Sequence, residues 1–246
     1  MTMTDTSEKG LEAQIVSDLC NNGGYEQGKS INYNRDVAVD VMQLLSFLQA
    51  TQPIAFTALE LGNEGIKRTQ FLHRLQGEIT KRGVVDVLRK GINHGPEHLD
   101  LYKLLPTPGN VSATENFSKN IFSVTRQLHY SNDESQRSLD MVIFINGLPI
   151  LTFELKNSLT KQTVADAITQ YQTDRNPTEL LFQLGRCVAH MAVDDAEVRF
   201  CTHLTGKTSW FLPFNQGWNS GAGNPPNPNG LKTDYRRHRR TLVYLW

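Results

Sequence analysis

Apolar and polar residues recur with two periods along this chain, and these periods predict its helices and strands. A spacing of three to four residues between apolar positions indicates helices near 11–19, 36–51, 67–82, 84–91 and 163–173. Alternating or continuously apolar runs rich in β-formers indicate strands near 122–130, 139–145, 149–156, 186–193, 198–204 and 209–214. We therefore expect an α/β protein with one sheet. The helical block at about 36–91 forms either an insertion or a layer on that sheet.

The clearest local signal is the strand pair around Asn146-Gly147. Asn-Gly between two apolar runs is the strongest short hairpin signal. Charged residues stand at the outer ends of this pair, since Asp140 begins the first strand and Glu154 and Lys156 end the second. Strand side chains alternate between faces, so Glu154 and Lys156 point the same way.

The geometry of the turn decides whether Asp140 meets Glu154. A two-residue loop pairs Ile145 with Leu148 and therefore Asp140 with Phe153, which turns Glu154 away. A bulge or a three-residue loop pairs Asp140 directly with Glu154. Two carboxylates and an ammonium at one place suit a divalent cation and an attacking water, as phosphodiester hydrolysis requires. We therefore predict the second register.

These residues have specific candidate roles. Asp140 and Glu154 are predicted to bind one or two Mg²⁺ ions, with the backbone carbonyl of Leu155 as a further ligand. Lys156 would orient the water or stabilise the negative charge on the phosphate. The alternative is an ordinary ion pair between Glu154 and Lys156 on an exposed strand face, because short D…ExK matches often arise by chance.

Composition narrows the functional classes. The 246 residues include 25 basic and 25 acidic side chains, so any contact with DNA must use a local basic patch. The cysteines number three and lack CxxC spacing, which indicates a reducing compartment and argues against a disulfide framework or a zinc site. No apolar run is long enough to span a bilayer. We expect a cytoplasmic protein with no membrane partner.

The two ends of the chain differ in composition from the predicted folded domain at 11–214. Residues 1–10 are polar and are expected to be disordered. Residues 215–230 are rich in Gly, Pro and Asn and indicate a linker or a long loop. A basic run follows, in which candidate DNA phosphate contacts are Arg236, Arg237, Arg239 and Arg240. A solvated tail is the alternative interpretation of this run.

Several segments together form a pattern far more specific than the three charged residues alone. They are 84–92, 126–131, 139–150, 153–157, 162–172, 211–215 and 221–230. From about residue 11 to 233 the chain resembles the N-terminal nuclease domain of the restriction (R) subunit of type I restriction–modification enzymes.

The resemblance implies a PD-(D/E)xK fold, in which helices flank a mixed central sheet; we expect the helical block at about 36–91 to be inserted into it. It also implies Mg²⁺-dependent cleavage of double-stranded DNA at non-specific positions, with Asp140, Glu154 and Lys156 catalytic. R subunits act with methyltransferase and specificity subunits and continue into ATP-driven motor domains. The P-loop-like stretch 204–208 lacks the first glycine of a Walker A motif and is expected to be a turn. The chain thus resembles the nuclease module without its motor, and ATP belongs to the motor.

The resemblance also suggests auxiliary residues. Many relatives carry a Gln-xxx-Tyr pair on the following helix; Tyr171 matches the Tyr, Ala167 stands at the Gln position, and Gln170 or Gln162 is a candidate substitute. Glu12 matches an acidic residue near the metal of related nucleases, although a solvent-facing Glu is the simpler expectation. Two other functions stay open: a stand-alone PD-(D/E)xK repair nuclease or junction resolvase, and a catalytically silent docking module for a motor or methyltransferase subunit.

Overall fold

The computed structural model describes residues 8–131, 137–157 and 160–214. Helices α1 to α7 are, in chain order, Glu8–Asn22, Val41–Thr51, Pro53–Ala58, Ile66–Arg82, Val84–Lys90, Val111–Phe117 and Val164–Thr173. Strands β1 to β11 are Glu26–Gln27, Tyr33–Asn34, Val39–Asp40, Ile92–His94, Glu97–Leu99, Phe122–His129, Ser138–Ile145, Leu148–Leu155, Ala189–Val193, Val198–Cys201 and Leu212–Pro213. No helix in these ranges is long and apolar enough to cross a membrane.

A mixed seven-stranded sheet forms the centre of the fold, in the order β1-β6-β7-β8-β9-β10-β11. Strands β6, β7 and β8 are antiparallel neighbours, whereas β9 runs parallel to β8 after the chain crosses over through α7. A parallel pair requires such a crossover, because a tight turn can only reverse the chain. The expected mixed sheet flanked by helices is confirmed.

Helices cover both faces of the sheet. On one face, helices α1, α2, α4 and α5 share a single hydrophobic cluster with the strands, and Phe47, Phe71 and Phe153 are fully buried within it. On the other face, α7 packs through Tyr171 against a second cluster that includes Phe144. The helical residues 41–90 therefore form a layer that is continuous with the core of the sheet.

Several boundaries differ from the sequence predictions. Helix α1 begins at Glu8, so the expected disorder of 1–10 is wrong for its last three residues, while 1–7 lie outside the described residues. The helix predicted at 36–51 begins only at Val41. Asp40 is its N-cap and accepts a hydrogen bond from the Gln43 N–H at 3.1 Å. Asp40 is also the last residue of the β2–β3 hairpin. The spacing of apolar residues does not reveal an N-cap, so the predicted helix began too early.

The strands predicted at 186–193, 198–204 and 209–214 are shorter, at Ala189–Val193, Val198–Cys201 and Leu212–Pro213, and some short elements were missed. Helices α3 and α6 and the β4–β5 hairpin were not predicted, because segments of three to seven residues are too short to show a period. The stretch 204–208 is a turn as expected, with the Ser209 N–H donating to the Gly206 carbonyl at 2.9 Å. The predicted linker at 215–230 and the four arginines of the basic run lie outside the described residues.

The β7–β8 hairpin combines a two-residue turn with a bulge. Ile145 pairs with Leu148 across Asn146-Gly147. One residue of β8, Ile150, then has no partner on β7, which shifts the remaining register by one position. Continued along the strands, the shifted register places Asp140 opposite Glu154. The predicted bulge is therefore confirmed.

Gly147 is required by both its backbone angle and its surroundings. Its φ is +82°, and a Cβ atom there would overlap the Asp40 carbonyl oxygen and lie 2.8 Å from the Leu44 nitrogen. Gly109 has a φ of +88° but nothing within 4 Å of the same position. We expect Gly109→Ala to cost about 1–2 kcal/mol from backbone strain alone. Gly147→Ala should cost about 3–5 kcal/mol, because steric overlap adds to the strain.

Urea unfolding of both glycine variants measures this difference. Equal losses of unfolding free energy would show that the turn does not pack tightly against the start of α2.

Candidate active site

Asp140 reaches the end of β8 through a contact with its backbone. The Oδ2 atom of Asp140 accepts a hydrogen bond from the Leu155 N–H at 2.7 Å. The next N–H, of Lys156, donates in the opposite direction to Val193 of β9 at 2.8 Å. Because both polar groups of a strand residue point to the same side, the Leu155 carbonyl also faces β7. The Asp140 carboxylate and the Leu155 carbonyl therefore lie on the same side of the end of β8, directly after Glu154.

Glu154 lies at the buried end of this group. Its side chain is 0% exposed, Lys156 is 8% exposed, and Asp140 is half-buried. Nε of Arg175 donates a hydrogen bond to Glu154 Oε1 at 2.7 Å, and Nη2 forms an ion pair with the same oxygen at 2.6 Å. Glu154 Oε2 is buried and has no hydrogen-bond partner among the described residues. The alternative of an ion pair on an exposed strand face is wrong, because this face is buried.

The electrostatics of the site centre on Glu154. Burial raises the pKa of Glu154 to about 8; the Arg175 cation opposes this rise and the Asp140 carboxylate adds to it. A raised pKa stabilises the folded chain below about pH 4.5, and that contribution disappears as the pH rises through about 8. A cation bound to Glu154 lowers this pKa, because it favours the ionised form. A cation that bound to Glu154 would therefore release a proton.

Sequence reasoning missed Arg175. It lies just after the C-terminal end of α7, where no periodic or motif signal marks it. One general signal existed, since a glutamate in a buried strand requires a compensating cation. That signal does not say which of the basic residues supplies the charge, because the partner lies 21 positions away in the chain.

Glu12 is buried on α1 beside the site, so the expectation of a solvent-facing Glu12 is wrong. Its Oε1 pairs with the Arg126 guanidinium, and its Oε2 accepts a hydrogen bond from Gln127 Nε2 at 2.9 Å. The same Gln127 nitrogen lies 3.5 Å from Asp140 Oδ1. Gln127 has a φ of +46°, an uncommon angle for a residue with a side chain. One amide thus connects Glu12 to Asp140.

Tyr171 is fully buried beneath the same strand face. Its hydroxyl is 2.8 Å from Thr152 Oγ1, which is also 2.8 Å from His190 Nδ1. Burial lowers the pKa of His190 to about 3, so this histidine is neutral. Gln170 is half-buried and Gln162 is exposed. Within the described ranges, neither glutamine hydrogen-bonds to the three predicted catalytic residues.

The donor set fits Mg²⁺. Among the residues that the structure describes, no group of three or more His, Cys, Asp or Glu side chains is placed to hold a metal ion. The site offers the Asp140 carboxylate, Glu154 Oε2 and the Leu155 carbonyl. Mg²⁺ prefers oxygen ligands, keeps several waters and is commonly bound through one or two carboxylates. The buried oxygen of Glu154, which lacks a partner in the described structure, is the kind of acceptor that a cation satisfies.

Comparisons with known proteins identify the family of this chain. Residues 5–209 match the family described as type I restriction enzyme R protein N terminus. A protein of Methanocaldococcus jannaschii, named as type I restriction enzyme MjaIXP endonuclease subunit, is 38% identical over 76 residues. The aligned stretch covers 29% of this chain and only 7% of that relative.

Proposed function

Since this chain belongs to the family of type I restriction enzyme R protein N termini, we propose that it is the DNA-cleaving module of an R subunit. Its reaction would be Mg²⁺-dependent hydrolysis of phosphodiester bonds in double-stranded DNA, at non-specific positions. ATP-driven motor domains would bring the DNA to it, and methyltransferase and specificity subunits would select the recognition sequence. The observation that supports this proposal is the Asp140 contact with the β8 backbone between Glu154 and Lys156.

The roles of the residues follow from their positions. Asp140, Glu154 and the Leu155 carbonyl would hold the cation. Bound Mg²⁺ supplies polarisation of the phosphate and lowers the pKa of the attacking water. The Lys156 ammonium shares a strand face with Glu154 and stabilises negative charge that develops on the phosphate. Because Lys156 is 8% exposed, its charge is weakly screened by solvent.

The burial gradient indicates how a substrate reaches the site. Asp140 is the half-buried member, whereas Glu154 is fully buried. A phosphate and a hydrated cation would therefore approach from the Asp140 side, with Glu154 at the inner end. The neutral overall composition supplies little affinity for a duplex, so the chain alone is expected to cut DNA weakly or not at all.

Calorimetric titration with Mg²⁺ tests the proposal. We expect the chain to bind Mg²⁺ saturably and Glu154→Gln to weaken binding at least about tenfold, because a neutral amide is a poorer ligand. The ionised form of Glu154 is required, and its pKa is raised to about 8. Affinity should therefore fall about tenfold for each pH unit below that value. Binding that is independent of pH around this value would show that Glu154 is already ionised in the metal-free site, whereas unchanged binding by Glu154→Gln would exclude Glu154 as a ligand.

Lys156→Met is the matched control for this titration. It retains both carboxylates, so Mg²⁺ should bind as tightly as in the unsubstituted chain or more tightly. If the unsubstituted chain binds no Mg²⁺, either alone or with a short DNA duplex, the nuclease proposal is contradicted. That result would favour a docking module.

A further inference from the structure

We infer that Arg175 is a positioning residue, which holds Glu154 by one carboxylate oxygen and leaves the other oxygen available to the cation. Both contacts from Arg175 go to Oε1: Nε donates a hydrogen bond to it at 2.7 Å, and Nη2 forms an ion pair with it at 2.6 Å. Oε2 is buried and has no partner among the described residues. An arginine that served only to neutralise a buried carboxylate would commonly bind both oxygens side by side. Arg175 has this role only if Glu154 binds the cation, so the assignment rests on the proposed function.

Arg175 is itself held in place by groups from two other strands. Its Nη2 donates to the Ser138 carbonyl at 2.9 Å, and its Nη1 lies 3.3 Å from the Tyr130 hydroxyl. The guanidinium carbon also lies over the Tyr130 ring, 5.6 Å from its centre. Ser138 begins β7, and Tyr130 directly follows β6, where His129 pairs with Ser138. The guanidinium therefore connects the ends of three adjacent strands.

Only an arginine can make all of these contacts at once. Its donors are spread over a rigid plane, whereas the three donors of a lysine project from one atom. Arg175 is 5% exposed, so its hydrogen bonds are protected from water. A fixed cation at this place favours the ionised form of Glu154, which is the form that binds a metal. Arg175 also fixes the orientation of Glu154. Residues that hydrogen-bond to a metal-binding side chain commonly orient it in this way.

A competing role for Arg175 makes the opposite prediction. If the guanidinium occupied the position of the cation, its removal would strengthen Mg²⁺ binding. If it only stabilised the fold, a folded Arg175 variant would bind Mg²⁺ as the unsubstituted chain does. A positioning residue differs from both, because its replacement weakens binding even when the charge is retained.

The test is the Mg²⁺ affinity of Arg175→Lys, measured by calorimetry on the 246-residue chain. We expect a loss of about 10- to 100-fold. Arg186→Lys is the matched control, because Arg186 is 2% exposed and contacts the carbonyls of Val37 and Ala38. Its affinity should equal that of the unsubstituted chain. Near-ultraviolet circular dichroism at the titration temperature shows that each variant is folded.

A second variant keeps the test decisive if Arg175→Lys does not fold. Tyr130→Phe removes one anchor of the guanidinium and should weaken Mg²⁺ binding about three- to tenfold. Unchanged or tighter binding in the folded variants would overturn the role of Arg175, while binding by the unsubstituted chain would leave the proposed function intact. No binding by the unsubstituted chain would instead refute the proposed function and this role together.

Discussion

Asp140→Asn is expected to abolish DNA cleavage by an R subunit that contains this chain, with a loss of about 10³-fold or more. The asparagine oxygen can still accept the hydrogen bond from the Leu155 N–H, which Asp140 accepts at 2.7 Å, so the strand end should keep its structure. The negative charge is lost, however, and a neutral amide binds Mg²⁺ poorly. A loss of rate of about 10³-fold corresponds to about 4 kcal/mol of transition-state stabilisation, which the bound metal would otherwise supply.

Cleavage of circular DNA in the presence of ATP measures this effect, with ATP hydrolysis as an internal control for the motor domains. Asp166→Asn is the matched variant. Its carboxylate also accepts a backbone N–H, from Thr163 at 2.7 Å, but it lies at the exposed start of α7. We expect cleavage by Asp166→Asn to stay within about twofold. If Asp140→Asn retained cleavage within about tenfold, the metal site would have to lie elsewhere.

Asn146→Ala is expected to lower the free energy of unfolding by about 4–6 kcal/mol. The Asn146 side chain is 0% exposed and donates to the Leu101 carbonyl at 2.8 Å and to Asn120 Oδ1 at 3.0 Å. Its Oδ1 accepts the Ile121 N–H at 2.7 Å. Alanine would remove the partner of the Leu101 carbonyl and of the Ile121 N–H, each at a cost of about 1–3 kcal/mol, whereas Asn120 Oδ1 would keep the Lys103 N–H. The residue also has a φ of +49°, which adds strain.

Urea unfolding with Asn110→Ala as the control tests this prediction. Asn110 is exposed and caps α6 by accepting the Ala113 N–H at 3.0 Å, so its loss should cost about 1 kcal/mol. Similar losses for the two variants would contradict the idea that Asn146 joins the hairpin to its neighbours. Asn146→Gly separates the loss of the side-chain hydrogen bonds from the backbone strain. Glycine removes the side chain but tolerates a positive φ.

Local chemistry explains how much of the fold and site could be predicted from the sequence. The turn at Asn146-Gly147, the common face of Glu154 and Lys156 and the long periodic helices depend on neighbours in the chain. Each could therefore be predicted from short windows. The bulge was predicted because the chemistry requires Asp140 to meet Glu154. Its position at Ile150 was decided by how the two strands pack.

The sequence by itself determined the central strand pair and the groups that converge at its end. The tertiary structure alone decided that Glu154 is buried, that Arg175 holds it and that Glu12 is connected to Asp140 through Gln127. Those contacts join residues that are 21 and 115 positions apart in the chain. Side-chain alternation and turn preferences arise from the backbone of adjacent residues, and a sequence displays them directly. Burial, pKa shifts and ion pairs depend on which distant surfaces pack together, and no local pattern encodes that choice.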